Sequence, residues 1–284
     1  MGLFGKTLRD NRGAIIGMGI ANALIALFVV LAYPSFRGAL ADYQFPEFLA
    51  SFFGEGGVAA YTTFEGFIAV ELFTWLPILL IVMVIIGGTA TLAGEEGAGT
   101  LDLLLAQPVA RRRLVLEKAA GLTVAIAIAS LATLAGLLAG TVLIDVTVPL
   151  GRVALAVVNM LPLTLLFLGL SLWASAALAS RGAAAMLVAG LTVVTYFFNL
   201  IGGAVERVEF LRKLSPFYWA DASHVMLHGF DWLRTGGFLL LAAAFVALAL
   251  WSFERRDIAV GARRWWPRFS LPRLSGRVRR RDVA

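Results

Sequence analysis

Residues 67–93 read FIAVELFTWLPILLIVMVIIGGTATLA, and Glu71 is the one ionisable side chain among them. A run this long and apolar suffices for a helix to cross a hydrocarbon core of about 30 Å. Buried strands are also apolar, but they rarely exceed about ten residues, so helix is the reading. The pattern returns at residues 13–32, 119–144, 153–179, 183–204 and 236–253. The sequence therefore predicts an all-α integral membrane protein with six transmembrane helices. Composition agrees: 60% of the 284 residues are hydrophobic and 15% are charged, whereas a soluble domain carries about a quarter charged residues.

Six spans place both chain ends on one side, and the basic residues say which. The pI near 10.2 would suit nucleic acid in a soluble protein, but in a membrane protein basic residues mark the cytoplasmic face, so no nucleic-acid partner is expected. With the N-terminus inside, the inner segments hold Lys6, Arg9, Arg12, Arg111, Arg112, Arg113, Lys118, Arg181 and the arginines after Phe253. The outer ones hold Arg37, Arg152, Arg207, Arg212, Lys213 and Arg234. This asymmetry predicts cytoplasmic N- and C-termini in a multi-pass protein of the cytoplasmic (inner) membrane. The first run follows Lys6, Arg9 and Arg12 as in a signal peptide, yet it exceeds a typical h-region and no A-x-A-like site follows. It reads as an uncleaved anchor. Residues 1–253 form the membrane domain, and 254–284 form a basic cytoplasmic tail. Two outer segments, 33–66 and 205–235, are too short for a soluble domain. The aromatic second one predicts short helices in or dipping into the outer leaflet before span six. With no cysteine in the chain, disulfides and thiolate metal sites are excluded.

The most informative connection is 95–118, EEGAGTLDLLLAQPVARRRLVLEK, between spans two and three. Thr100 can cap a helix N-terminus, and Asp102 in its first turn complements the helix dipole. Leu101, Leu104 and Leu105 then share one face, and Pro108 stops the helix after about two turns. Glu95 and Glu96 precede it and Arg111–Arg113 follow. So short an apolar stripe needs a surface: on the residues alone, the lipid interface, the bundle itself or a soluble partner would serve.

This stretch resembles the signature of ABC-2-type permeases, the membrane subunits of ATP-binding-cassette exporters. It matches their pattern at Glu95, Gly99, Thr100, Leu101, Asp102, Leu103, Leu104, Leu105, Pro108, Val109 and Arg111. It departs at Glu96, Gly97, Ala110 and Glu117, where the family usually has a basic residue, an acidic one, a hydroxyl and a glycine. The run Leu214–Tyr218 resembles the segment before the final span in such permeases. The resemblance implies that residues 99–108 form a coupling helix docking on an ATPase subunit. The contact set would be Glu95, Glu96, Gly99, Thr100, Leu101, Asp102, Leu104, Leu105, Pro108 and Arg111. It further implies two copies of that ATPase, holding ATP and Mg. A second permease chain, identical or related, would meet this one along spans one and five, with substrate moving outward. The chain itself would have no cofactor and no catalytic residues.

Other motifs are weaker. Gly5-Lys6-Thr7 resembles the end of a phosphate loop, but the glycine five residues earlier and the preceding strand are not in the sequence. Residues 94–100 are glycine-rich without the lysine. His224 and His228 have the spacing of a metal-binding helix, but Val225 stands where a general-base Glu would be, and no metal is expected. Glu65, Glu71 and Asn199 are candidates for a substrate or proton path, ionisable or polar groups in a membrane being functional by default. Asn22, Asn159 and Asn199 otherwise suit helix–helix hydrogen bonds, and Gly13/Gly17 and Gly136/Gly140 suit close helix packing. Trp75-Leu76-Pro77 predicts a kink in span two. A stand-alone secondary transporter or channel, and a membrane-embedded enzyme or immunity protein, are the competing classes. Inverted repeats and paired intramembrane charges would favour the first, and convergent acids, bases or metal ligands the second.

Overall fold

The computed structural model describes Gly5, Arg9, Val225 and residues 12–40, 63–99, 110–178, 180–221 and 229–255. Every regular element among them is helical: α1 (Arg12–Leu40), α2 (Phe64–Glu71), α3 (Leu76–Thr89), α4 (Glu95–Gly97), α5 (Arg111–Leu143), α6 (Leu150–Ala177), α7 (Arg181–Ala204), α8 (Glu209–Leu214), α9 (Pro216–Trp219) and α10 (Trp232–Arg255). Six units are long and apolar enough to cross a membrane: α1, the α2–α4 unit, α5, α6, α7 and α10. The helix that carries span three starts at Arg111, ahead of the apolar run from 119, because Arg111–Lys118 continue it as a basic extension.

Span two is more broken than a kink. α2 ends at Glu71 and α3 begins at Leu76, with Pro77 in its first turn. Proline has no N–H, and its ring excludes the carbonyl four residues back, that of Phe73. The break also loosens the turn before it, where the Phe73 N–H reaches the Ile68 carbonyl at 3.1 Å, five residues back.

α6 is the central post, packed against α3, α5, α7 and α10. In its most apolar window 67% of residues are buried, against 17% in α7. α1 and α5 run parallel and very close. A Cβ on Gly136 would lie 2.1 Å from the Ala23 carbonyl oxygen, and one on Gly140 2.7 Å from the Val30 side chain. Among the described residues Gly13 and Gly17 have nothing within 4 Å, whereas the pair in span three makes a seam with α1. On α1 the outward stripe Ile16, Ile20, Leu24 and Phe28 is exposed, a surface that only lipid or another protein can cover favourably.

Parallel α1 and α5 put the start of span one at the start of span three. There the end of α10 is also tied: Arg111 Nη1 donates to the Phe253 carbonyl at 3.1 Å, and Arg112 pairs with Glu254 through both carboxylate oxygens. Both ends of the described bundle thus lie at one pole, called here the basic end. At the far end Tyr33 meets Phe64 and Phe67 edge-on or tilted, at 5.1 and 5.3 Å, pinning α1 to α2.

The segment after α7, at the far end, folds back into the bundle. A Cβ on Gly202 would lie 2.6 Å from the Arg212 backbone nitrogen, so α8 rests directly on the last turn of α7. Ser215 caps α9 by accepting from the Phe217 N–H, and the Phe217 ring packs on Tyr196 and Phe167. Asn159 Nδ2 donates to the Ala220 carbonyl at 3.1 Å. Nine residues into α6, Asn159 is about 14 Å along that helix, so the segment dips inward from the far end.

Candidate functional site at the basic end of span two

α3 gives way at Ala90 to a five-residue π turn, Ala90–Gly94, before the short α4. Such turns persist only where the backbone groups they displace find other partners. In a regular helix the N–H groups of Leu92 and Ala93 would bond to the carbonyls of Gly88 and Thr89. Here both donate to the Ser175 hydroxyl on α6, at 3.1 and 3.0 Å. The Ser175 hydroxyl donates in turn to the Thr89 carbonyl at 3.0 Å, and the Thr91 hydroxyl takes the Gly88 carbonyl at 2.5 Å. A serine hydroxyl has one donor and two acceptor sites, and this one uses all three. Gly88 makes the approach feasible, since a Cβ there would meet Ser171 Cβ at 2.6 Å.

The same turn is held from span three. Lys118, only 8% exposed, donates from Nζ to the Thr91 carbonyl at 2.9 Å and pairs with the Glu95 carboxylate. Burying an ammonium is costly unless it is both paired and hydrogen-bonded, and here it is both. Span five contributes Arg181, whose guanidinium reaches the Ile86 carbonyl at 3.4 Å. Ser180 caps that helix by accepting from the Ala183 N–H at 3.1 Å.

α4 ends at Gly99. Its N–H donates to the Glu96 carbonyl at 3.1 Å, and its φ of +70° lies in the left-handed region that glycine enters without penalty. Past Gly99, Thr100, Leu101, Asp102, Leu104, Leu105 and Pro108 of the expected contact set lie outside the described residues, as do His224 and His228. Of the rest, Glu95 is bound to Lys118, Glu96 is half-buried one position on, and Arg111 is bound to the end of α10. A cation–π contact reinforces that bond, with the Arg111 guanidinium 5.5 Å from the Phe253 ring centroid. The structure thus joins the two flanks of the 100–109 connection to different partners: the leading one to spans three and four, the trailing one to span six.

The candidates for a path do not form one cluster. Glu65 and Glu71 sit in α2, which packs on α1, while Asn199 lies in α7, which packs on α3, α6, α8 and α9. Glu65 occupies the first turn of α2 behind the Thr63 cap, a favourable place for a carboxylate beside a helix N-terminus. Of the span asparagines, Asn159 makes an inter-segment bond; Asn22 is fully buried, and neither of its polar atoms is bonded among the described residues. Among the described residues no cluster of His, Asp and Glu could hold a metal.

Ser175 and Thr91 carried no signal in the sequence, since hydroxyls in membrane helices usually bond within their own helix. Thr164, Ser171 and Thr192 do so here. A family model described as an ABC-2 family transporter protein matches residues 16–258, from within span one to beyond span six. No curated protein matches the chain.

Proposed function

The chain belongs to the ABC-2 family of transporter proteins, and from that premise we propose that it is the permease half of an ATP-driven exporter in the cytoplasmic membrane. As a multi-pass membrane subunit of an ABC transporter it carries substrate and is not itself the catalyst. In the proposed complex two ATPase subunits bind ATP and Mg and perform the hydrolysis. They act on two permease chains through residues 99–108, with the basic end in the cytoplasm. The observation that carries the reading is the family match across all six spans, joined to the 95–111 motif.

The geometry supports it in two ways. The flanks of the 100–109 connection are fastened to spans three, four and six, so force applied there is delivered to several helices at once. The outward faces of spans one and five leave broad apolar surface for a second chain and lipid. An ATPase can shift the spans only if its two nucleotide states hold the connection differently. The test is co-purification of the ATPase with Leu104→Ala, which should weaken ATPase retention by about tenfold while membrane insertion is unchanged, as expected of an apolar anchor truncated at the centre of an interface. Undiminished retention would count against the reading.

A further inference from the structure

We infer that Ser175 and Lys118 are positioning residues for ATP coupling: they hold span two in its π register, and release of that register carries motion from the segment after Gly99 into the bundle. This rests on the permease reading and assigns the working parts at the membrane end that it leaves unassigned.

The π turn is not sustained by span two alone. Its displaced Leu92 and Ala93 N–H groups and the Thr89 carbonyl are all served by one hydroxyl from another span. A side chain inserted into a helical ladder is a recognised cause of such distortions, and π turns recur at functional sites. If Ser175 withdraws, the straightforward way to re-pair these groups is the ordinary α pattern. The extra residue must then pass along the chain, and each residue it passes turns by about 100° about the helix axis. Glu95, one residue beyond the π turn, is the first to be turned, away from Lys118. The Ala98–Gly99 turn is the natural outlet, because Gly99 already occupies a backbone region that tolerates rearrangement.

The Lys118–Glu95 pair makes the choice two-state. Lys118 bonds both the Thr91 carbonyl inside the turn and the Glu95 carboxylate beyond it. In the π register both contacts are made together. Packed interfaces shift between discrete arrangements rather than deform continuously, so the register behaves as a switch. The part it moves against is firm: span three is tied to the end of span six through Arg111 and Arg112, and span six packs along span four.

The chain has no cysteine, so spin labels can be placed at will. Ala98→Cys and Ala120→Cys report span two against span three; labelled chain is diluted with unlabelled chain so that only distances within one protomer are read. In the reconstituted complex the wild-type distance should change between the nucleotide-free and the ADP–vanadate-trapped states. Ser175→Ala should shift the nucleotide-free distance toward the trapped one. It should also alter the kcat for ATP by about threefold or more, with KM for ATP and ATPase retention unchanged. The paired change Lys118→Met with Glu95→Gln, which removes both charges together, should do the same. Wild-type distances and kcat in both variants would overturn the proposal, and so would loss of ATPase retention, since the hydroxyl would then be merely structural. A wild-type chain that retains no ATPase would overturn the permease reading itself and the coupling role with it, which the Ser175→Ala results alone cannot do.

Discussion

At the residue scale, the glycines show how one residue type does different work in different places. Gly136 and Gly17 both belong to small-residue pairs, yet only Gly136 touches another helix. Gly136→Ala must push its methyl into the Ala23 backbone carbonyl, an atom that cannot swing aside. It should destabilise the protein by about 2 kcal/mol, within the range for overpacked sites. Gly17→Ala meets open space and should be neutral or raise stability by about 0.5–1 kcal/mol through helix propensity. Thermal unfolding in detergent would separate the two, and equal effects would contradict the α1–α5 seam. Gly99 is a third case, where the demand is conformational: its φ of +70° ends a helix, and a side chain there would strain the turn leading to the 100–109 connection.

At the element scale, polar atoms fasten apolar helices that would otherwise pack without preferred register. The inserted segment between α7 and α10 is an example. Asn159 satisfies the Ala220 carbonyl, which no helix continues to cover once α9 has ended at Trp219. Asn159→Leu should cost about 1 kcal/mol, the lower end of the penalty for leaving an acceptor unpaired, since this bond is part-buried. It should also speed amide exchange in residues 216–221 while leaving the 88–97 stretch of span two as it was. Exchange that rises equally in both places would mean general loosening rather than a local anchor. At the other end of the bundle the same logic applies to the π turn. There the anchor is a serine on span four, and the held group is a stretch of backbone rather than a single carbonyl.

For the whole molecule, burial is uneven in a way that suits assembly. Spans two and four are mostly enclosed, while spans one, five and six each bury under a third of their most apolar window. Met186, Val193 and Val194 on α7 and Leu240 on α10 all project outward. If the second chain meets this one along spans one and five, Val194→Cys should form a cross-link between two copies in membranes. Leu240→Cys, facing lipid, should not. Cross-linking at Leu240 and none at Val194 would move the seam to span six. Because the chain has no cysteine of its own, the experiment has no background to subtract.

The six spans were legible because their cause is local: a long apolar run with too few charges must become a helix in lipid, where no other structure pairs its backbone. The break at Pro77 was legible for the same reason, since proline acts on its own turn. The 95–111 motif and its resemblance singled out this connection, but not what its flanks hold. Glu95 reads as a surface contact and is instead tied to a buried lysine twenty-three residues away. Ser175 had no reading, because its value lies in facing the π turn of another span. Helix identity follows from residues that are neighbours in the chain and from the solvent around them. Register, anchoring and glycine seams follow from residues that meet only after the helices pack, and those were decided by the tertiary structure.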